Sequence, residues 1–343
     1  MTIPERDRLL ALLDAFPQKT VMVVGDFVAD EFVAGEISRV SREAPVLILR
    51  HRETQLVPGG GANAANNLVA LGARVLAAAT VGNDAAGRAL RRHFRQKGVD
   101  VRAIECVAGW TTASKTRFLA GWTHTTRQQV LRVDREPAPL PEAAGRRLER
   151  RARALAGRAD AILFSDYGLG VVTPELARRV LRQGSRGRRG RVVTIDSRYA
   201  LLSFAGLGIT AATPNEAELE GQFHVRLASH SGALARYGER ARRKMGLEAL
   251  VLTRGKDGMV VFERGRKPRP IPIYGTDQVA DVTGAGDTVI AVFTLALAAG
   301  GGFYEAARLA TYAGGLVVMK QGTATVSRAE LEAAVRADPL RQS

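Results

Sequence analysis

Short apolar runs alternate with helix-like patterns along most of the 343-residue chain. Apolar runs bounded by polar residues predict strands, and apolar residues spaced by three or four predict helices. The predicted strands lie at 20–28, 75–81, 161–165, 192–196, 209–213, 249–253 and 259–262. The predicted helices lie at 62–72, 85–97, 141–156, 174–183 and 231–245. This alternation indicates an α/β fold, with a mainly parallel sheet covered by helices on both faces.

Two segments break the alternation with period-two patterns of apolar and polar residues. They cover about 32–57 and 112–135 and include "APVLILRHRETQLV" and "TRFLAGWTHTTRQQVLRVD". The patterns predict antiparallel strands, which we expect to form a small β-sheet lid beside the main sheet. Since no repeat or linker divides the chain, we expect a single domain over 1–343 with these lid segments inserted.

The first twenty residues, "MTIPERDRLLALLDAFPQKT", carry charges through their apolar stretch. This pattern is typical of an amphipathic helix and not of a signal peptide. The expected buried side holds Leu9, Leu10, Leu12, Leu13 and Phe16. Apolar runs long enough to span a bilayer are missing, and the single cysteine, Cys106, excludes an internal disulfide. We therefore expect a cytoplasmic protein with no membrane partner.

The net charge of +16 raises the question of a nucleic-acid partner. The basic stretches at 146–158 and 182–191 fit a solvated helix face and a surface loop, and neither has interleaved aromatic residues. Without a nucleic-acid-binding motif, charge alone is weak support, so we expect no nucleic-acid partner. A positive field also attracts a small anionic substrate.

The stretch "TGAGDT" (283–288) stands directly before a long apolar helix. Backbone N–H groups of Gly284, Ala285 and Gly286 at a helix start would form an anion cradle. Asp287 beside it would accept the proton of a hydroxyl group, an arrangement that suits phosphoryl transfer. The motif alone leaves open a simple helix start with a capping aspartate.

Five stretches in order resemble the motifs of the ribokinase/PfkB family of sugar kinases. They are "GGGANAANNLVALGA" (59–73), "VGNDAAG" (81–87), "TPNEAE" (213–218), "TRGKDGMVVF" (253–262) and "DVTGAGDT" (281–288). The resemblance covers about 18–336 and implies a ribokinase-like three-layer α/β/α sandwich with a β-sheet lid. It also implies ATP and Mg²⁺, with a monovalent cation as a further candidate.

A closer resemblance is to the D-glycero-D-manno-heptose 7-phosphate kinase branch of this family. It rests on "ISRVSREAPV" (37–46), "RQQVLRVD" (127–134), "SDYG" (165–168) and "KQGTATVSRAEL" (320–331). It implies phosphorylation of the anomeric hydroxyl of heptose 7-phosphate to the 1,7-bisphosphate. Such kinases are often fused to a C-terminal adenylyltransferase domain, and we expect none in this chain.

The resemblance assigns roles to matching positions. Asp287 corresponds to the catalytic base, and Gly284, Ala285 and Gly286 to the anion hole. Glu218, in the family's NxxE motif, corresponds to a residue that supports Mg²⁺ through water. The nucleotide-binding positions are Asn215, Thr253, Gly255, Gly258 and Thr311.

On the sugar side, Asp26 ends the first strand, where open parallel sheets bind ligands. Asp30 is either a second sugar-binding acid or a residue at the entry to the lid. Three positions match the family's sugar-binding turn and helix start: Gly59, Gly60 and Asn63. Lys115 and Arg117 in the lid are candidates to bind a substrate phosphate, and Gln128 is a candidate to reach the sugar.

Some positions depart from the heptose kinase pattern. Leu169 replaces a lysine, Asp196-Ser197-Arg198 replaces a DPK turn, and Thr311 stands where the family often has asparagine. These departures leave open another PfkB-type kinase for a different sugar or sugar phosphate. The alternative of another class is a non-catalytic nucleotide or sugar-phosphate sensor. Exposed strand edges in the lid predict a homodimer through the lid.

Overall fold

The computed structural model describes residues 2–122, 127–184, 190–227, 232–275 and 280–339. Within them, nine strands form the main sheet in the order β13-β12-β11-β10-β9-β8-β1-β4-β5. These strands are β1 (Thr20–Gly25), β4 (Arg74–Gly82), β5 (Asp100–Val107), β8 (Ala161–Asp166), β9 (Val192–Ser197), β10 (Ala211–Ala212), β11 (Ala249–Thr253), β12 (Met259–Glu263) and β13 (Arg269–Ile271). Neighbouring strands from β5 to β11 pair in parallel, and β12 and β13 add an antiparallel edge.

Helices cover both faces of this sheet. They are α1 (Ile3–Ala15), α2 (Gly61–Ala70), α3 (Ala85–Gln96), α4 (Glu142–Ala156), α5 (Pro174–Gly184), α6 (Glu216–Phe223), α7 (Ala233–Met245), α8 (Ala285–Ala298), α9 (Phe303–Val317) and α10 (Arg328–Ala337). One apolar core joins the sheet to α1, α2, α3, α8, α9 and α10, and the other joins it to α4, α5, α6 and α7. Successive residues of β1, such as Met22 and Val23, enter opposite cores, as expected of a parallel sheet. The three-layer prediction is confirmed.

A second sheet of four strands forms the lid. Its strands are β2 (Phe27–Val40), β3 (Leu47–Gly60), β6 (Ser114–Gly121) and β7 (Gln128–Arg135), in the order β3-β2-β6-β7. The hairpin pairs β2–β3 and β6–β7 are antiparallel, whereas β2 and β6 pair in parallel. The lid prediction is confirmed, and its first strands extend beyond the expected 32–57. Residues 123–126 of the second predicted lid segment lie outside the described residues.

Three strands differ from the sequence prediction for physical reasons. The predicted strand 20–28 is two strands, because the chain leaves the main sheet at Asp26 and enters the lid. The sequence analysis missed β5 because Glu105 interrupts its apolar pattern. In the structure Glu105 is buried, and its Oε1 lies 2.5 Å from Arg147 Nε, which compensates the charge. The sequence analysis also missed β13, whose three residues are too few to give a pattern.

The N-terminal segment forms the predicted helix, α1. The Thr2 side chain caps it reciprocally with Glu5, and Leu9, Leu12 and Leu13 are buried. Of the helices in the described part of the chain, none is both long and apolar enough to cross a membrane.

Candidate active site

The path of the chain brings several strand ends to one edge of the main sheet, beside the lid. After β1 the backbone of Asp26 bonds both to β8 and to the start of α2: its N–H donates to the Ser165 carbonyl at 3.0 Å, and its carbonyl accepts from Gly61 N–H at 2.9 Å. Between β1 and α2 the chain forms the lid strands β2 and β3. The carboxyl ends of β1 and β8 therefore meet the first turn of α2, where open α/β sheets bind ligands.

Asp287 lies in the first turn of α8 with 2 % of its surface exposed. Its Oδ2 accepts a hydrogen bond from Asn63 Nδ2 at 3.0 Å, and its Oδ1 accepts one from the Tyr167 hydroxyl at 2.7 Å. Burial raises the pKa of Asp287 to about 7, although both hydrogen bonds act to lower it. A carboxylate whose pKa is near neutrality is well suited to act as a general base.

The glycines before Asp287 shape the helix start. Gly284 is the N-cap with φ +76°, and a Cβ there would lie 2.4 Å from Asn63 Nδ2. A Cβ on Gly286 would meet no other atom within 4 Å, so open space faces this residue. The first N–H groups of a helix have no intrahelical acceptor, and the helix dipole adds positive potential there. The start of α8 thus places a buried acid directly after Gly286, which faces open space, and the anion-binding role of these N–H groups stays a prediction.

Two buried asparagines of α2 orient the contact to Asp287. Asn67 Nδ2 donates to Asn63 Oδ1 at 3.1 Å, so Asn63 presents its own Nδ2 to Asp287. Asn63 Nδ2 also lies 3.3 Å from the Gly284 carbonyl. The sequence pattern assigned Asn63 to the sugar, whereas the structure brings it to the predicted base.

Asp26 holds the loop that follows β8. It is 1 % exposed and accepts hydrogen bonds from the backbone N–H groups of Tyr167 (2.8 Å), Leu169 (3.0 Å) and Val171 (3.2 Å). Burial raises its pKa to about 6, against the effect of these hydrogen bonds. The structure therefore gives both carboxylate oxygens of Asp26 backbone partners, and a direct contact to a sugar stays a prediction.

Asp30 and Arg117 form a buried ion pair at the base of the lid. Arg117 Nη1 lies 2.7 Å from Asp30 Oδ1, and the Thr323 hydroxyl donates to Asp30 Oδ2 at 2.9 Å. Gly59 packs so closely that a Cβ there would lie 2.5 Å from Asp30 Oδ2. Gly60 has φ +55°, which allows the chain to turn from β3 into α2. The predicted sugar-side residues Asp30, Gly59 and Arg117 thus form one contiguous cluster.

A cationic cavity of about 390 Å³ lies between the lid and the main sheet. Its lining includes Lys115, Arg132 and Arg198, together with Tyr167 and Leu169. Asp134 also lines it and lies 2.9 Å from Arg132 and 3.8 Å from Lys115, so only part of the positive charge is neutralised. Burial lowers the pKa of Lys115, and the two arginines add to this effect. Gln128 has an exposed side chain on β7 and is not among the residues that line this cavity.

Asn215 and Glu218 meet at the start of α6. Asn215 Oδ1 accepts from the Glu218 N–H at 2.8 Å, and Glu218 Oε2 accepts from the Asn215 N–H at 2.9 Å. Burial raises the pKa of Glu218. Burial and the nearby Glu218 raise the pKa of Asp196 well above its ordinary range.

Asp196 and Glu218 fit a Mg²⁺ site in which water molecules lie between the ion and the carboxylates. Within the described ranges, no three Asp, Glu, His or Cys side chains are grouped to hold a metal by themselves. Mg²⁺ commonly keeps several waters and binds one or two carboxylates together with substrate phosphates. A cation near Asp196 and Glu218 would stabilise their ionised forms, so the donor set suits Mg²⁺.

The remaining nucleotide candidates lie around β11 and β12, on the β13 side of the main sheet. Thr253 pairs with Asn215 in a parallel bridge, and Gly255 and Gly258 have positive φ in the turn between β11 and β12. A Cβ on Gly258 would lie 2.1 Å from the Ile271 carbonyl oxygen. Thr311 on α9 lines a separate cavity of about 730 Å³, which also has Ile271 in its wall.

Sequence reasoning missed Tyr167 and Arg132 as site residues, and it left open whether Asn66 or Asn67 faces the sugar, without the contact of Asn67 to Asn63. The signal for Tyr167 was available, because it follows β8 directly, as Asp26 follows β1. Side chains just beyond the carboxyl ends of parallel strands face the ligand edge of the sheet. The contact of Asn67 to Asn63 depends on side-chain orientation within a helix, and that of Arg132 on the lid register, neither of which local patterns define.

Residues 18–330 match the model of the pfkB family carbohydrate kinase. Over 314 residues the chain is 41 % identical to the bifunctional protein HldE of Geobacter sulfurreducens, a match that covers 90 % of this chain and 61 % of that protein. The chain thus spans about three-fifths of the length of this curated relative.

Solved structures show the same fold. Arabidopsis thaliana ribokinase complexed with ribose and ATP is similar with a TM-score of 0.70 and 20 % identity, over 93 % of this chain and 99 % of that one. Phosphofructokinase-2 from Escherichia coli in complex with potassium is similar with a TM-score of 0.73 and 19 % identity, over 93 % and 98 %. The predicted ribokinase-like fold and sugar-kinase family are confirmed. The chain belongs to the pfkB family of carbohydrate kinases, phosphotransferases with an alcohol group as acceptor.

Proposed function

We propose that this protein transfers the γ-phosphoryl group of ATP to the anomeric hydroxyl of D-glycero-D-manno-heptose 7-phosphate. The products are the 1,7-bisphosphate and ADP. The observation that carries the proposal is the position of Asp287, a buried acid with a pKa of about 7 at the open start of α8. The heptose assignment is supported by the branch-specific stretches of the sequence and by the cationic cavity.

In the proposed reaction, Asp287 accepts the proton of the anomeric hydroxyl as its oxygen attacks the γ-phosphorus. The bond between this phosphorus and the bridging oxygen breaks, and ADP leaves with that electron pair. The Gly286 N–H at the start of α8 stabilises the charge on the transferred group. The Ala285 N–H would share in this only by giving up its hydrogen bond to the Val282 carbonyl at 3.2 Å. Asp196 and Glu218 would hold Mg²⁺ through water, and the ion when bound would neutralise phosphate charge.

The cationic cavity is the proposed site of the substrate's own phosphate. Lys115, Arg132 and Arg198 line it from the lid and from the loop after β9. Arg117, the other predicted phosphate ligand, is paired with Asp30 and buried, so we give it a structural role in the lid. Lys115 is a better candidate than Arg117, because its ion pair with Asp134 spans 3.8 Å, whereas Arg117 lies 2.7 Å from Asp30.

For ATP, we propose that Asn215, Thr253, Gly255 and Gly258 lie along the phosphates and ribose. Thr311 would border the adenine, since it lines the cavity of about 730 Å³ beside β13. The potassium in one structurally similar phosphofructokinase supports a test for a monovalent cation.

We further propose a homodimer through the lid. Three apolar residues of β7 are exposed: Val130 at 47 %, Leu131 at 55 % and Val133 at 43 %. A second lid would cover these side chains and the strand edge. The cytoplasmic location and the lack of a nucleic-acid partner stay predictions.

The test is ADP release with Mg-ATP and a panel of sugars, comparing heptose 7-phosphate with heptose, ribose and fructose phosphate. We expect turnover with heptose 7-phosphate that falls about 10²–10⁴-fold in Asp287→Asn. Lys115→Ala should raise KM for the phosphorylated sugar, whereas Lys97→Ala, outside the cavity, should leave KM unchanged. Turnover confined to another sugar would discard the heptose assignment. Ligand binding without any turnover would support the sensor alternative.

A further inference from the structure

Tyr167 contacts the predicted base directly, although no motif assigned it a role. Its hydroxyl donates to Asp287 Oδ1 at 2.7 Å, opposite the Asn63 amide on Oδ2. Its ring packs at the turn into α2, where a Cβ on Gly60 would lie 3.4 Å from Tyr167 Cδ2. Asp287 is therefore held from two elements, the loop after β8 and helix α2.

The backbone of Tyr167 is also held by hydrogen bonds. Its N–H is one of three amides bonded to Asp26, and Asp26 is 1 % exposed. The next residue, Gly168, has φ +75°, and its N–H donates to Asp166 Oδ1 at 2.9 Å. Two buried carboxylates thus fix the loop that presents the tyrosine to Asp287.

We propose that Tyr167 is a positioning residue for Asp287: its hydroxyl, fixed by the loop anchored on Asp26, holds Oδ1 of the base in place and in its ionised form. This inference rests on the proposed function, in which Asp287 is the base. A carboxylate has about four acceptor sites on its two oxygens, so both contacts leave room for the hydroxyl of a sugar.

The direction of the hydrogen bond follows from the surroundings. Burial and the nearby Asp287 raise the pKa of Tyr167 well above its ordinary value, so the hydroxyl keeps its proton and donates. A donor stabilises the ionised carboxylate. Other acids oppose this effect from three elements: Asp30 on β2 and Glu218 on α6 raise the pKa of Asp287, and Asp196 on β9 interacts with it. Tyr167 and Asn63 are the groups that lower this pKa.

The test is the pH dependence of kcat for wild type and Tyr167→Phe, with Tyr237→Phe on α7 as a matched loss of a hydroxyl outside the site. In Tyr167→Phe we expect the acid limb of the profile to move up by about one pH unit. The kcat should fall about tenfold at about pH 6 and change little at about pH 9. Tyr237→Phe should match wild type at every pH. An unchanged acid limb, or an equal loss at every pH, would overturn the proposal.

A second measurement does not depend on activity. The ¹³C carboxyl signal of Asp287, assigned by its loss in Asp287→Asn, is titrated by NMR in wild type and in Tyr167→Phe. The proposal expects a higher midpoint in the variant, and equal midpoints would contradict it. If Asp287→Asn kept full kinase activity, the proposed function would fail while the titration would still report on the contact.

Discussion

At the scale of single residues, Asp287 shows burial and hydrogen bonding acting in opposite directions. Burial raises its pKa to about 7, whereas the Asn63 amide and the Tyr167 hydroxyl lower it. The balance leaves a carboxylate that is strongly basic for its type and still ionises near neutral pH. Such a group favours proton transfer. It also lowers the free energy of unfolding at any pH at which it is ionised.

This balance predicts a pH dependence of stability. The pKa values of Asp26 and Asp287 are higher in the folded protein, at about 6 and about 7, than the unfolded value of 3.8. The folded state therefore binds more protons than the unfolded state between about pH 4 and pH 7, and the free energy of unfolding falls as pH rises through this window.

Asp287→Asn should remove the part of this pH-dependent loss of stability that Asp287 causes. The new amide keeps both contacts, because it donates to the Tyr167 oxygen and accepts from Asn63. We expect the variant to exceed wild type in free energy of unfolding by roughly 1–4 kcal/mol at about pH 8 and to match it at about pH 4. Urea unfolding at both pH values measures this difference, and equal values at both would contradict the assigned pKa.

Gly284 and Gly286 differ in what a methyl group would meet, which gives a matched pair of variants. Gly284→Ala adds a Cβ 2.4 Å from Asn63 Nδ2 at φ +76°. It should lower the free energy of unfolding by about 1–3 kcal/mol and displace Asn63 from Asp287. Gly286→Ala meets no atom within 4 Å and should keep the stability of wild type while narrowing the anion cradle. Equal thermal midpoints for the two variants would contradict this account of Gly284.

At the scale of elements, the site depends on loops that leave the strands of the main sheet. The motif at 283–288 located the start of α8 and its acid from sequence, because the glycines and the apolar run are contiguous. The contact of Tyr167 to Asp287 joins residues 120 positions apart, so no local pattern could show it. For the same reason the sequence could not show that the Asp26 carboxylate accepts hydrogen bonds from the loop after β8.

The anchoring of this loop by Asp26 predicts a local change in dynamics. In Asp26→Asn one side-chain atom becomes a donor, so at least one of the amides of Tyr167, Leu169 and Val171 loses its acceptor. Hydrogen exchange should become faster at 167–171. The amides of Gly87 and Thr112, which Asp84 holds in a similar way, serve as internal controls and should not change. Unchanged exchange at 167–171 would show that Asp26 does not hold the loop.

At the scale of the whole molecule, the lid connects the substrate cavity to the proposed dimer. Strands β6 and β7 contribute Lys115 and Arg132 to the cavity and also carry the exposed apolar residues of β7. Dimer formation would therefore restrict the same strands that contact the sugar phosphate. The net charge of +16 would draw an anionic substrate towards this cavity.

The dimer proposal predicts a change in mass on a lid substitution. Leu131→Glu places a charge among the exposed apolar residues of β7 and should shift the protein from dimer to monomer in analytical ultracentrifugation. Tyr199→Glu alters an apolar residue that is 66 % exposed but lies outside the lid strands, and it should leave the mass unchanged. A monomeric wild type, or a dimeric Leu131→Glu, would exclude this interface.

The most direct test of the central claim is ³¹P NMR of the product formed from Mg-ATP and heptose 7-phosphate. The account predicts a new phosphorus signal coupled to the anomeric proton, equimolar with ADP, while the original phosphate signal is retained. The signal should not accumulate with Asp287→Asn at the same enzyme concentration. Phosphorylation at another position, or an undiminished rate in Asp287→Asn, would contradict the assignment of the anomeric hydroxyl and of its base.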